Sequence, residues 1–176
     1  MVRRFQPRRT WRFWVGWLIS IAVAIRIAYL SRQTEAPTSL AEGEYQVSFV
    51  IDGDTVKLAD GKKIRLIGVD TPETHLQNQP PEKWGVEATE FTQRFVNRTN
   101  GRVRLHFDDE RLDAYNRYLA YVWSDDKMLN EELIKEGFGR FLPRFRYSET
   151  MKRRFRTAER EAKSRQIGIW SDRAGH

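Results

Sequence analysis

The chain has 176 residues, enough for one domain plus an appendage. It has no cysteine, which excludes disulfides and thiolate zinc sites. Its net charge of +7 makes no global case for a polyanionic partner, because residues 1–32 hold seven arginines and no acid while the other 144 hold 24 basic and 24 acidic side chains.

Arg3, Arg4, Arg8, Arg9 and Arg12 precede a mostly apolar stretch from Phe13 to Ile25. A basic flank before an apolar run is the pattern of a membrane-directed segment whose N-terminus stays in the cytoplasm. From Trp11 to Leu30 the run matches the ~20 residues that span a bilayer. Arg12 and Arg26 lie near its two ends, where long side chains snorkel. The leading expectation is an uncleaved anchor over 1–32, with the rest of the chain outside the cytoplasmic membrane. The alternatives are a signal peptide cut after Ala22-Val23-Ala24, leaving a secreted protein, and an interfacial helix. Residues 33–43 read as a linker, 44–171 as the folded domain and 172–176 as a tail.

From Tyr45 the hydrophobic period is two, with Val47, Phe49 and Ile51 alternating with polar residues. Asp52-Gly53-Asp54 makes a turn, and Thr55 to Leu58 continues as a strand. Asp60-Gly61 is a hairpin signal, and Lys63 to Val69 returns as a third strand. Residues 74–84 are loop. Glu82 to Val96 reads as a helix with Ala88, Phe91 and Phe95 on one face, ended by Asn100-Gly101. Arg102 to Phe107 and Tyr118 to Trp123 give a fourth and a fifth strand. Met128 to Glu136 is a short helix. Ser148, an N-cap candidate, opens a longer helix to Arg165. This order suits an α+β domain: a five-stranded OB-fold β-barrel with three helices packed outside, preceded by an N-terminal membrane segment.

The chemistry concentrates in one run. Asp54 and Asp70 offer the anionic oxygens that Ca²⁺ prefers. Arg65 offers a planar fork that fits a phosphate, and Arg117 a second one. Glu73 offers a carboxylate that orients or deprotonates a water. Together they point to a metal-dependent phosphodiesterase acting on nucleic acid. Asp52 reads as support for the turn behind Asp54. Tyr115 is either a base-stacking platform or a strand-edge aromatic. The basic residues of 152–156 fit a solvated helix face better than a phosphate track, and His75 and His106 have no part in the scheme. Residues 42–90 carry ten acids against five bases, and 140–165 ten bases against three acids. An acidic metal pocket beside a basic face and a pair of solvated helix faces both fit that segregation.

The segments Asp52-Gly53-Asp54-Thr55-Val56, Arg65-Leu66-Ile67-Gly68-Val69-Asp70-Thr71-Pro72-Glu73-Thr74 and Tyr115-Asn116-Arg117-Tyr118-Leu119-Ala120-Tyr121-Val122 resemble those of the staphylococcal nuclease (thermonuclease) family. The likeness runs from about Tyr45 to Trp170. It implies Ca²⁺-dependent hydrolysis of DNA and RNA, single strands preferred, to 3′-phosphate products by a monomer. It also implies that Asp54, Asp70 and the Thr71 carbonyl hold the metal, that Glu73 handles the attacking water, that Arg65 and Arg117 bind the phosphate, and that Tyr115 lies near the nucleotide. The chain departs from the family pattern at its shorter hairpin between Leu58 and Arg65. It departs also at Ala114 and Asn116 beside Tyr115, and at Pro143 and Phe145, where the family has an aromatic pair. The competing expectation is a non-catalytic OB module that binds nucleic acid or protein. A third is action on one structured nucleic acid or a nucleotide.

Overall fold

The computed structural model describes residues 40–74 and 80–175. The N-terminal segment 1–32, most of the linker and His75 lie outside the described residues. Among the described residues no helix is long and apolar enough to cross a membrane.

Strand β1 (Gly43–Asp52) is long and bent, and it begins inside the stretch read as a linker. Its first half, Gly43 to Gln46, lies opposite Leu105 to Arg102 of β5 (Arg102–His106). Its second half pairs with β2 (Thr55–Leu58). Register shifts between Val47 and Phe49 and between Val50 and Asp52 interrupt the pairing of the second half. Such bulges bend a strand and increase its twist, so one strand can serve two sides of a barrel. The Asp60-Gly61 turn leads into β3 (Lys63–Leu66), antiparallel to β2. Closure comes from a parallel pairing: Ile64, Arg65 and Leu66 face Tyr118, Leu119 and Ala120 of β6 (Tyr118–Ser124). With β5 antiparallel to β6, the ring β1-β2-β3-β6-β5 is complete, the five-stranded OB-type barrel expected from the alternation. A two-residue strand, β7 (Lys127–Met128), hairpins back on β6. Val56, Ile64, Leu66, Leu105 and Leu119 are wholly buried in the core.

The third strand is shorter than its sequence suggests. It ends at Leu66, the chain turns through Ile67-Gly68, and a separate strand β4 (Val69–Asp70) pairs with β8 (Arg140–Phe141). Two bonds anchor the turn: the Ile67 amide donates to the Ala120 carbonyl (3.0 Å), and the Leu142 amide donates to the Gly68 carbonyl (2.9 Å). Gly68 has φ +81°, and a Cβ there would sit 2.6 Å from the Phe155 ring. Glycine is therefore required at that corner.

Helix α1 (Gly85–Asn97) starts three residues later than its pattern suggests, because Trp84 takes a left-handed conformation at φ 74°. Its Thr92 hydroxyl donates to the Gly53 carbonyl at 2.5 Å, tying the helix to the Asp52–Asp54 turn. Helix α2 (Leu129–Lys135) carries a buried amide, Asn130, at the barrel's edge. The Asn130 side chain donates to the Ile67 (2.9 Å) and Ala120 (3.1 Å) carbonyls and accepts from the Val122 amide (2.9 Å). Helix α3 (Glu149–Arg165) is capped by the Ser148 hydroxyl, which accepts from the Met151 amide at 3.3 Å. Its Phe155 is fully buried between Tyr121 and Tyr147. A 3₁₀ segment, Gly168–Gly175, runs through most of the stretch read as a tail.

Candidate functional site

Asp54 sits where the turn after β1 enters β2, Arg65 on β3 and Asp70 on β4. Pairing of Thr55 with Arg65 across the hairpin brings the first two together, and the corner at Gly68 folds the third back onto them. Arg65 is only 4% exposed. One guanidinium nitrogen, Nη1, lies 2.9 Å from Asp54 Oδ2 and donates to the Val69 (2.8 Å) and Leu66 (3.1 Å) carbonyls. The other, Nη2, donates to Asp70 Oδ1 at 2.9 Å. A single buried arginine thus gathers both carboxylates expected to hold a metal. Its Nε–H and second Nη2–H make no bond among the described residues.

Asp54 is 3% exposed. Its Oδ2 accepts from the Thr71 amide (3.0 Å) and its Oδ1 from the Thr55 hydroxyl (2.9 Å). Burial pushes its carboxyl above the usual range, against the pull of Arg65 and of the bonds from Thr71 and Thr55, while Asp70 adds repulsion. Asp70 keeps half its side chain in solvent. Glu73 is exposed, its amide donating to Glu82 Oε2 at 3.0 Å. Partial burial of its carboxyl, then repulsion from Asp52, Asp54 and Asp70, raise its pKa, with Arg65 opposing. Asp52 is buried and accepts from the Thr74 amide (3.3 Å) and hydroxyl, which holds the segment carrying Glu73 against the turn.

Arg117 enters from the other side, just before β6. Its Nη1 lies 3.5 Å from Thr55 Oγ1, one residue from Asp54. Tyr115 is 79% exposed, with the Arg117 guanidinium carbon 5.4 Å from its ring centroid. Asp113 orients this pair, and sequence reasoning missed it. Its carboxylate accepts from the Tyr115 amide (2.9 Å), the Arg117 amide (3.0 Å) and Arg117 Nε (2.7 Å). Burial alone raises the Asp113 pKa, but these bonds outweigh it and hold the group below the usual carboxylate range. The available signal was an aspartate two residues before Tyr115 and four before Arg117, the spacing of a local side-chain turn.

Phe145 does not line the site: it is buried, with Arg144 stacked on its ring at 4.9 Å, while Pro143 is exposed. Lys152 and Arg154 are ion-paired to Glu149 (2.8 Å) and Glu131. That favours the solvated-face reading for those two.

A family model described as staphylococcal nuclease homologue matches residues 63–172. The thermonuclease of Staphylococcus hyicus is 39% identical over 168 residues, covering 88% of this chain and 96% of that protein. The chain belongs to the staphylococcal nuclease family. The thermonuclease of Staphylococcus intermedius is 38% identical over 163 residues, 87% of this chain and 94% of its own length. Endonuclease YncB of Bacillus subtilis is 41% identical over 129 residues, 69% of this chain and 58% of the relative.

The donor set is one of hard oxygen ligands that suit a hard cation. Asp54 and Asp70 converge through Arg65, and the neighbouring Thr71 has a buried hydroxyl oxygen with no bond among the described residues. Among the described residues no third acid or histidine joins them there. An ion at this point would complete its shell with carbonyl and water oxygens, which Ca²⁺ accepts readily at six to eight ligands.

Proposed function

We propose that the chain is a Ca²⁺-dependent nuclease that hydrolyses phosphodiester bonds in DNA and RNA with little sequence specificity and leaves 3′-phosphate ends. It acts as a monomer, held at the membrane by its N-terminal segment with the nuclease domain outside the cytoplasm, or released by cleavage of that segment. The observation that carries the reading is the lock of Asp54 and Asp70 on Arg65, with Thr55 linking Asp54 to Arg117. Membership of a family with thermonucleases and an endonuclease among its relatives supports it.

Attack on a phosphodiester brings a nucleophile to an anion and builds more negative charge in the transition state. Arg117, aimed by Asp113, and the unbonded edge of Arg65 face that charge with fixed donors, which are worth most where water is excluded. Glu73 has a raised pKa, so it is better matched than an ordinary carboxylate to accept or orient the proton of the attacking water. Asp54, Asp70 and Thr71 would hold the Ca²⁺, which would supply positive charge against the charge that builds in the transition state. For a 3′-phosphate product the new P–O bond forms from water, the P–O5′ bond breaks, and O5′ takes up a proton. The exposed Tyr115 ring offers a face to a base without reading its edge, consistent with weak sequence preference.

The test is hydrolysis of single-stranded DNA by the full chain in Ca²⁺ against EGTA, with Glu73→Gln and Arg65→Ala alongside. Ca²⁺-dependent cleavage that falls by orders of magnitude in both variants supports the reading. Binding without cleavage under every condition overturns it and leaves a non-catalytic module.

A further inference from the structure

A cleft of about 410 Å³ opens beside Asp70 and Thr71, and Arg117 is not part of its wall. It lies within the ~300–1,000 Å³ range of built ligand sites. It shares Asp70 and Thr71 with the candidate metal site and is otherwise walled by Glu82, Lys83, Trp84 and Arg140 among others. Contacts link the residues from Tyr115 to the cleft in order, through a buried centre. Tyr115 touches Arg117, Arg117 reaches Thr55, Thr55 bonds Asp54, and Asp54 and Asp70 share Arg65. Asp70 lies directly opposite Arg140 in the β4–β8 pair. Side chains directly opposite in an antiparallel pair project from the same face, so Arg140 continues the line beyond Asp70.

The cleft's acids Asp70 and Glu82 are already engaged, whereas the Arg140 guanidinium has no carboxylate partner among the described residues. Asp70 accepts from Arg65, and Glu82 accepts from the Glu73 amide. Arg140 is exposed, its guanidinium carbon standing 5.8 Å from the Trp170 ring. The Trp84 indole nitrogen is buried without an acceptor among the described residues.

We propose that this cleft is a second phosphate-and-base subsite for the substrate strand, in which Arg140 takes the backbone phosphate one or more nucleotides beyond the scissile bond. Arg140 is a positioning residue, and Trp84 forms part of the cleft wall against which a base can lie. The proposal rests on the nuclease reading above. It makes the protein a reader of strand length: a substrate must extend past Asp70 to use it.

The test compares a dinucleoside monophosphate with a single-stranded octamer in the full chain, wild type against Arg140→Ala and Arg140→Lys. The expected result for R140A is a KM for the octamer raised about tenfold, about one lost phosphate contact, with kcat held. KM for the dinucleoside monophosphate stays unchanged. R140K recovers most of the loss. The slope of log KM for the octamer against log salt falls by about 0.7, the single-strand value per phosphate. Equal effects on both substrates, or none on the octamer, overturn the proposal. If the wild type cuts neither substrate, the nuclease reading fails by itself. Octamer Kd then judges the cleft: a weaker Kd in R140A with the smaller salt slope upholds it, and an unchanged Kd overturns it.

Discussion

Replacing Asp113 by alanine removes the group that aims Arg117, and the structure fixes how large the effect is. Three donors lose their acceptor at once: the Tyr115 amide, the Arg117 amide and Arg117 Nε. The Asp113 side chain is 4% exposed, whereas that of Arg117 is 24% exposed, so water reaches the arginine once the carboxylate is gone. A bond to a charged group contributes about 1.5–3 kcal/mol; with water reclaiming part of the loss, D113A is expected to cost about 2–3 kcal/mol. That lowers the melting temperature by about 6–12 °C, interpolating between small and mid-sized domains. Asparagine keeps an acceptor oxygen without the charge, so D113N is expected to fall roughly midway. The sign with pH is also set. A carboxylate whose folded pKa is depressed stabilises the fold above its unfolded pKa and loses that contribution as pH falls through the folded value. The difference in melting temperature between wild type and D113A therefore stays full at pH 6–7 and shrinks as pH falls below the ordinary aspartate range. Hydrolysis by D113A should drop less than in Arg117→Ala, and the double variant should be no worse than R117A alone. Thermal melts across pH with steady-state rates measure both. A melting difference that persists undiminished in acid, or additive losses of activity in the double variant, refutes the reasoning.

Ca²⁺ at about a hundred times its dissociation constant should add about 2.7 kcal/mol to stability, seen as a higher melting temperature. Asp70→Ala should abolish that shift with little loss of metal-free stability, because half of the Asp70 side chain is already in water. Gly68→Ala should destabilise the fold by about 2 kcal/mol or more, since φ +81° is strained for alanine and its Cβ would meet the Phe155 ring; denaturant unfolding reads this, and a midpoint within error of wild type contradicts it. Asn130→Ala leaves the Val122 amide without its partner and takes a donor from the Ile67 and Ala120 carbonyls, so a cost of about 3 kcal/mol is expected. A two-state melt of that variant with a normal midpoint contradicts the pinning role.

Much of the barrel was legible because its strands alternate and its turns are marked by Asp52-Gly53-Asp54 and Asp60-Gly61. The helices were legible from Ala88 with Phe95 and from the Ser148 cap. The β4–β8 ribbon was not legible, because two residues give no period and its partner lies seventy residues away in the chain. Pro143 and Phe145 depart from the family's aromatic pair, and the inward packing of the Phe145 side chain is a matter of tertiary contacts that its sequence position does not show. Arg65 could be read as a phosphate ligand from its pattern. Its bonds to two carboxylates and two carbonyls depend on the Gly68 corner, which no local signal predicts. Arg140 looked like one basic residue among many until the register set it against Asp70.

The parallel seam between Ile64–Leu66 and Tyr118–Ala120 bears on timing. It joins segments more than fifty residues apart in the chain, and contacts of that separation form late because loop closure must be met first. Arg65 is inside this seam and Arg117 borders it. The two guanidiniums therefore meet only when the barrel shuts. A half-made or partly unfolded chain has acids and arginines but no place where they converge, so cleavage chemistry switches on together with the finished fold.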